Sequence, residues 1–160
     1  MNCFEISYKM NSASCKEIEE HLLECADCFE PPLDSYVDIN KYSHKICKNA
    51  VTSEAWLGNK LVGLVACYLN NKKERIGYIT NVSIRQDCQG QGIASKLLHL
   101  TTNDARERGF ERLMLEVYCN NCRAIALYRK KGFTLVHGIG SKYTMIKQLK
   151  KSRIMPNNNM

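Results

Sequence analysis

The sequence predicts an α/β fold of the α+β type, in which helices flank a mixed, largely antiparallel sheet. Apolar residues alternate with polar ones in several short segments, as in half-buried strands. Between them, capping residues and terminal glycines bound segments with helical spacing. The predicted order is strand, two helices, three strands, helix, strand, helix and two strands, which differs from the regular alternation of a dinucleotide-binding fold.

The first elements are predicted from alternation and from helix-capping residues. Residues 4–10 alternate between apolar and polar side chains and predict a strand. Ser14 and Glu17 have the spacing of a capping box, which opens the first helix. Asp34 or Asp38 is expected to cap a second helix that ends near Asn49.

From residue 51 onward strands predominate. A hairpin signal at residues 58–60 separates two predicted strands, residues 51–57 and 61–69. The later elements are predicted as a strand at 75–84, a helix ending near 108, a strand around 113–117, a helix at 121–131, and short strands near 134–136 and 142–146. Residues 1–150 are therefore expected to form one domain, and residues 151–160 a frayed tail.

Composition and charge narrow the class of protein. Hydrophobic residues make up 44% of the 160 residues and charged residues 24%, which is typical of a globular domain. Residues 1–60 carry 10 acidic and 6 basic side chains, and residues 61–160 carry 6 acidic and 17 basic ones. The basic part suits a phosphorylated cofactor. Its charges are dispersed and match no nucleic-acid-binding signature, so we expect no nucleic acid partner. No membrane-length apolar run or secretory signal is present, so we expect a cytoplasmic protein without membrane contact.

Nine cysteines are present, two pairs of them with CxxC spacing. Cys25 with Cys28, and Cys119 with Cys122, match the ligand spacing of a zinc site, which needs four converging ligands. The alternative is reduced cysteines that act as small hydrophobic side chains, and Cys47 and Cys67 occupy positions typical of the core. An odd count suits a disulfide framework poorly. We therefore expect reduced cysteines and no metal.

A glycine-containing turn follows the strand that ends at Ile84 and opens the next helix. It reads Gln89, Gly90, Gln91, Gly92, Ile93 and Ala94. A strand that leads through two glycines into a helix leaves several backbone N–H groups in one concave turn, at the positive end of the helix dipole. Such a turn suits a pyrophosphate. The pattern is neither GxGxxG nor a P-loop, because no Gly-Lys-Ser/Thr follows.

Two motifs in sequence carry a family resemblance. Residues 89–94 fit the pattern Q/R-x-x-G-x-G/A, with Ala94 in the third small position. A second motif combines residues 115–118 with Asn121, residues 124–128, Gly132 and Phe133. Together, over about residues 3 to 148, they resemble the GNAT superfamily of acetyl-CoA-dependent N-acetyltransferases. The N-terminal region, which shapes the acceptor site in that family, matches more loosely.

The resemblance implies acetyl-CoA as co-substrate and assigns residues to it. It implies that the backbones of Val82 and Ile84 bind the pantetheine arm and that residues 89–94 hold the pyrophosphate. The side chain of Asn121 would contact the cofactor arm. Tyr128 matches a tyrosine that protonates the departing thiolate, which a phenol can do because it keeps its proton at neutral pH. The alternative for Tyr128 is a buried aromatic residue that packs on the sheet.

The general base is less well defined by sequence. Glu116 matches a glutamate that serves as the base in family members acting on protein N-termini. The alternative interpretation of Glu116 is a solvated or salt-bridged strand residue without a catalytic role. His137 and Tyr143 are further candidates for a proton relay through water. His21, His44 and His99 are interpreted as residues on helix faces.

The favoured function is N-acetyl transfer to a primary amine by direct attack in a ternary complex. A small amine is the first expectation for the acceptor, and the N-terminal amine of a protein is the alternative. A module that binds acyl-CoA without turnover is the alternative of a different class. Pairing of two copies through an edge strand, giving a homodimer, is compatible with the resemblance.

Overall fold

A computed structural model describes residues 5–149 and contains one seven-stranded sheet. The strands are β1 Ile6–Met10, β2 Val51–Leu57, β3 Lys60–Asn71, β4 Ile76–Ile84, β5 Arg112–Tyr118, β6 Thr134–Ile139 and β7 Lys142–Gln148. Their order across the sheet is β1-β2-β3-β4-β5-β7-β6, and only β4 and β5 pair in parallel. The predicted mixed, largely antiparallel sheet is confirmed.

Four α-helices cover the two faces of the sheet. They are α1 Cys15–Cys25, α2 Ile39–Asn49, α3 Ile93–Glu107 and α4 Cys122–Lys130. Buried side chains of α3 and α4 share one hydrophobic core, and those of α1 and α2 share the core on the other face. No helix within residues 5–149 is both long and apolar enough to cross a bilayer. Phe4 and the expected tail at 151–160 lie outside the described residues.

Residues predicted as caps begin the first two helices. The Ser14 side chain accepts a hydrogen bond from the Glu17 N–H, and the Glu17 carboxylate accepts one from the Ser14 N–H, so the capping box is confirmed. Of the two candidates for the second cap, Asp38 performs the role by accepting from the Lys41 N–H. Asp34 instead lies in a short 3-10 helix.

Strands β4 and β5 pair only at their beginnings. Their parallel register runs from Ile76 opposite Arg112 to Ile79 opposite Leu115, and beyond that point the strands separate. Strand β4 has a bulge at Thr80. Its neighbours Ile79 and Asn81 pair with two consecutive residues of β3, Cys67 and Ala66, so Thr80 has no partner in the register. Such a bulge bends a strand and increases its twist. The separation leaves one backbone edge of β4 unpaired.

A disulfide joins Cys15 to Cys47 across a sequence separation of 32 residues. The prediction that the cysteines are all reduced, and that Cys47 lies in the core as a free thiol, is therefore wrong for this pair. The physical reason is the packing of α1 beside α2, which brings the two Cα atoms to 5.4 Å, within disulfide range.

The CxxC cysteines remain unpaired thiols. Cys25 is buried, whereas Cys28, Cys119 and Cys122 are exposed. Within residues 5–149 there is no group of three or more histidine, cysteine, aspartate or glutamate side chains that could hold a metal ion.

Candidate active site

A cleft of about 840 Å³ opens where β4 and β5 separate. Its walls come from the open edge of β4, the glycine turn, α4, and the segment that joins α1 to α2. Most of the residues assigned by sequence line this one cleft: Val82, Ile84, Gln89, Gly90, Gly92, Ile93, Ala94, Glu116, Asn121 and Tyr128. Gln91 lies between two of them, on the exposed side of the turn.

The glycine turn presents a row of unpartnered backbone donors. Gly90 and Gly92 have φ values of 79° and 78°, in the left-handed region that favours glycine. Helix α3 begins directly after Gly92, whose carbonyl accepts from the Lys96 N–H. In this turn, the N–H groups of Gly90, Gln91, Gly92, Ile93 and Ala94 have no acceptor among residues 5–149. This concave set at a helix N-terminus is suited to an anion.

Gln89 shapes the turn with its side chain. Its N–H donates to the Gln86 carbonyl at 3.3 Å, so this amide is engaged within the protein. Its side-chain Nε2 donates to the Ile84 carbonyl at 3.1 Å, and its Oε1 accepts from Arg123 Nη1 at 3.4 Å. Gln89 therefore links the end of β4 to α4 across the cleft.

Gly63 on β3 allows α3 to begin close to the sheet. A Cβ at this position would lie 3.0 Å from Ile93 Cγ2 and 3.1 Å from Ile84 Cδ1, closer than side chains normally approach. The absence of a side chain therefore sets the position of the first residue of α3, and with it the position of the glycine turn.

The open edge of β4 consists of backbone groups of Val82 and Ile84. The Arg85 N–H donates to the Val62 carbonyl of β3 at 2.8 Å. Backbone groups alternate between the two edges of a strand, so those of Ile84 and Val82 point away from β3, toward the separation from β5. The Ile84 carbonyl receives Gln89. The remaining groups are free to pair with an extended ligand.

Tyr128 lies on α4 and is buried, with 8% of its surface exposed. Its ring packs edge-on against Phe133 at 5.9 Å between centroids. Burial raises the pKa of its phenol to about 12, because an ionised oxygen would lose its hydration. No group within residues 5–149 forms a hydrogen bond with the hydroxyl. The residue therefore packs as the structural alternative expects and also brings a protonated phenol to the cleft.

Asn121 is the N-cap of α4. Its Oδ1 accepts from the Ala124 N–H at 3.2 Å, which fixes the first turn of the helix. The carboxamide oxygen is thus used in capping, and the nitrogen is the part of this side chain left for a ligand.

Glu116 is the first residue of β5 beyond its last pairing with β4. Its side chain is 45% exposed, and Lys142 Nζ lies 3.8 Å from its Oε2. Together with burial, the charge of Glu116 raises the pKa of Tyr78. The Glu116 carboxylate therefore lines the cleft, as a candidate base should, and also forms a surface ion pair, as a salt-bridged strand residue would.

Besides Tyr128, aromatic side chains from the α1–α2 segment, α2, β4 and β5 line the cleft. Sequence analysis did not single them out, because they are scattered along the chain: Phe29, Tyr36, Tyr42, Tyr78 and Tyr118. The Tyr42 hydroxyl donates to the Thr80 carbonyl at 2.7 Å, at the bulge in β4. His137 and Tyr143, the two relay candidates, lie on β6 and β7 and are not part of the cleft lining.

His21 lies on a face of α1, as interpreted from the sequence, and that face is the buried one. It is 1% exposed, with Nδ1 3.2 Å from the Leu61 carbonyl and Nε2 2.9 Å from Ser83 Oγ. Burial lowers its pKa to about 4, although the hydrogen bonds act in the opposite direction. Its spacing from Ile18 and Cys25 follows the apolar stripe of α1, and this spacing was the available signal. His44 and His99 lie on exposed faces of α2 and α3.

Glu54 is a fully buried carboxylate that sequence analysis did not identify. Burial alone would raise its pKa, but the hydrogen bonds it accepts outweigh that effect and lower the pKa. The donors are the N–H and hydroxyl of Ser12, the Ala13 N–H, the Thr52 hydroxyl and the Trp56 indole N–H. Glu54 therefore anchors the chain that enters α1 and lies outside the cleft lining.

Comparisons with known proteins identify the family of this chain. Residues 15–133 match the Acetyltransferase (GNAT) family, so the chain belongs to that family. It is 34% identical over 84 residues to GCN5-related N-acetyltransferase 6, chloroplastic, of Arabidopsis thaliana, covering 52% of this chain and 29% of that protein. It is 30% identical over 77 residues to N-alpha-acetyltransferase 30 of Schizosaccharomyces pombe, covering 47% of this chain and 51% of that protein. The chain thus spans about half or less of the length of these relatives.

Solved structures share the fold. The ribosomal-protein-S18-alanine N-acetyltransferase from Escherichia coli superimposes with a TM-score of 0.74 at 18% identity, over 98% of this chain and 99% of that one. PaiA N-acetyltransferase from Thermoplasma acidophilum, in complex with coenzyme A, has a TM-score of 0.70 at 14% identity, over 89% of this chain and 99% of that one. At these identities the likeness concerns the fold.

Proposed function

We propose that this chain transfers the acetyl group of acetyl-CoA to a primary amine by direct attack in a ternary complex. The observation that carries the proposal is the row of free N–H groups from Gly90 to Ala94. These donors suit the pyrophosphate of acetyl-CoA. The free backbone groups of Val82 and Ile84 suit the amides of its pantetheine arm, which would extend along β4. The PaiA structure, solved with coenzyme A, supports this choice of co-substrate.

The reaction requires a proton donor and a proton acceptor near the separation of β4 and β5. The phenol of Tyr128, with its pKa raised to about 12, remains protonated at neutral pH and can protonate a departing thiolate. An ammonium acceptor must lose a proton before its nitrogen can attack. Glu116 is the carboxylate on the acceptor side of β5 that we assign to this step, directly or through water.

Two kinds of acceptor fit the site. A small amine is the first candidate, and the Glu30 carboxylate in the cleft wall would attract its positive charge, whereas Glu116 is already paired with Lys142. The N-terminal amine of a peptide is the second candidate. It is favoured by the open, aromatic wall and by the likeness to N-alpha-acetyltransferase 30. A panel of amines and peptides, with the acetylated product detected by mass, distinguishes the two.

Tyr128→Phe tests the catalytic assignment. We expect kcat to fall by about 10²-fold or more with little change in the Kd of acetyl-CoA, because the hydroxyl acts mainly in the transition state. The variant is expected to fold, since the hydroxyl has no hydrogen-bond partner within residues 5–149. Near-normal turnover would make Tyr128 a packing residue. Tight binding of acetyl-CoA by the wild type, with no acetylated product from any acceptor, would favour the non-catalytic module.

Glu116→Gln tests the base. The amide keeps the size of the side chain and removes its charge, so we expect kcat to fall and its dependence on pH to change. A loss confined to KM for cationic acceptors would instead show that Glu116 attracts the acceptor without taking its proton.

A further inference from the structure

We propose that Lys142 is an intramolecular acceptor, so that the protein acetylates this lysine of its own cleft; the inference rests on the proposed function. Lys142 is the first residue of β7 and lies opposite Tyr118 in the β5–β7 register. Its ammonium is 3.8 Å from Glu116 Oε2 and 5.1 Å from the centroid of the Tyr118 ring. A primary amine of the protein therefore already lies in the cleft, beside the carboxylate that we assign as base.

The Lys142 ammonium has the two neighbours that would also bind the ammonium of an external acceptor. A carboxylate and an aromatic face together attract a cation, and Glu116 and Tyr118 supply both. Glu116 is also the first residue beyond the last β4–β5 pair, where the thioester would lie under the proposed function. The Lys142 Nζ is thus within ion-pair distance of the Glu116 carboxylate, which we assign as the base. The Lys142 side chain is 45% exposed.

The transfer balances without an additional reactant. The ammonium of Lys142 first gives one proton to Glu116 or to water, and the free Nζ then attacks the thioester carbonyl. The C–N bond forms, the C–S bond breaks, and the departing thiolate takes a proton from Tyr128. The nitrogen loses its second proton, which restores the phenol through solvent. The products are Nε-acetyl-lysine, coenzyme A and one released proton.

The chain offers a matched control in Lys130. This lysine also lines the cleft, on α4, and it forms no ion pair with a carboxylate among the described residues. Placement beside the assigned base should accelerate reaction at Lys142 over Lys130 by at least about tenfold. Lys142→Arg and Lys130→Arg retain the positive charge and remove the reactive primary amine in each case.

The test is to incubate the purified full chain with acetyl-CoA and to map acetyl groups by mass spectrometry over time. We expect one acetyl group at Lys142, formed at a first-order rate that does not change with protein concentration. Lys142→Arg should abolish it, Lys130→Arg should not, and Tyr128→Phe should slow it about 10²-fold. The urea-unfolded chain gives the rate of chemical acetylation.

The opposing outcomes are distinct. Turnover of an external amine with Lys142 unmodified would overturn the self-acetylation and leave the proposed function standing. Equal acetylation in the unfolded chain would show a chemical reaction, and a rate that rises with protein concentration would show transfer between molecules. Either result would overturn the proposal. If the protein acetylates neither an external amine nor Lys142, both proposals fail.

Discussion

Acidification should destabilise the native state through His21. Its pKa is lowered from 6.5 to about 4, first of all by burial. Between about pH 7 and pH 5 the unfolded chain binds a proton at this ring and the native chain does not, so stability falls as the pH falls. One pKa unit corresponds to about 1.4 kcal/mol, so the unfolding free energy should fall by about 2 kcal/mol at pH 5 and about 3 kcal/mol at pH 4.

Urea unfolding followed by tryptophan fluorescence measures this loss, because Trp56 is the single tryptophan and is 5% exposed. The His21→Gln variant should be less stable at pH 7, and it should lose about 2 kcal/mol less than the wild type between pH 7 and pH 5. His99→Gln, on an exposed part of α3, is the control and should behave as the wild type does. If wild type and His21→Gln lose the same free energy over this range, the ring does not remain neutral in the folded state and the reasoning fails.

Two other changes test the cofactor turn and the disulfide. Gly92→Ala and Gly58→Ala both place a Cβ at a positive φ with no neighbouring atom within 4 Å, so each should cost about 1–2 kcal/mol of stability, measured by urea unfolding. Only Gly92→Ala should weaken acetyl-CoA binding in calorimetry, because its Cβ enters the anion site; equal affinities would refute the assignment of the turn. Replacing Cys15 and Cys47 by serine should lower the unfolding free energy by about 3–4 kcal/mol, from the loop that the bond closes. A reductant should lower it equally in the wild type and leave the double variant unchanged.

Features that depend on near neighbours in sequence could be predicted. The capping box at Ser14, the cap at Asp38 and the strand–turn–helix order around residues 89–94 each involve a few consecutive residues. Local hydrogen bonding and backbone conformation decide such features, and sequence shows them directly. Tyr128 is different, because it was assigned from the resemblance of the second motif to the family, and it lines the cleft.

Features that depend on distant residues could not be predicted. His21 finds its partner at Ser83, 62 residues away, and Glu54 accepts from Ser12 across 42 residues. A single polar side chain in an apolar stripe does not indicate which group will satisfy it. The open edge of β4 is also a property of strand register. No residue between 80 and 84 indicates by its type that β5 departs at Leu115.

The covalent bond between Cys15 and Cys47 has a consequence for how acceptor preference can change. It joins the beginning of α1 to the last turns of α2, while residues 26–38, which include part of the aromatic wall, connect the opposite ends of the two helices. Connecting segments tolerate insertion and exchange when their ends are held in place. Under the proposed function, the exposed positions of residues 26–38 are therefore the ones at which substitution would change the choice of amine, whereas Ala26 and Leu33 belong to the core beneath α1 and α2.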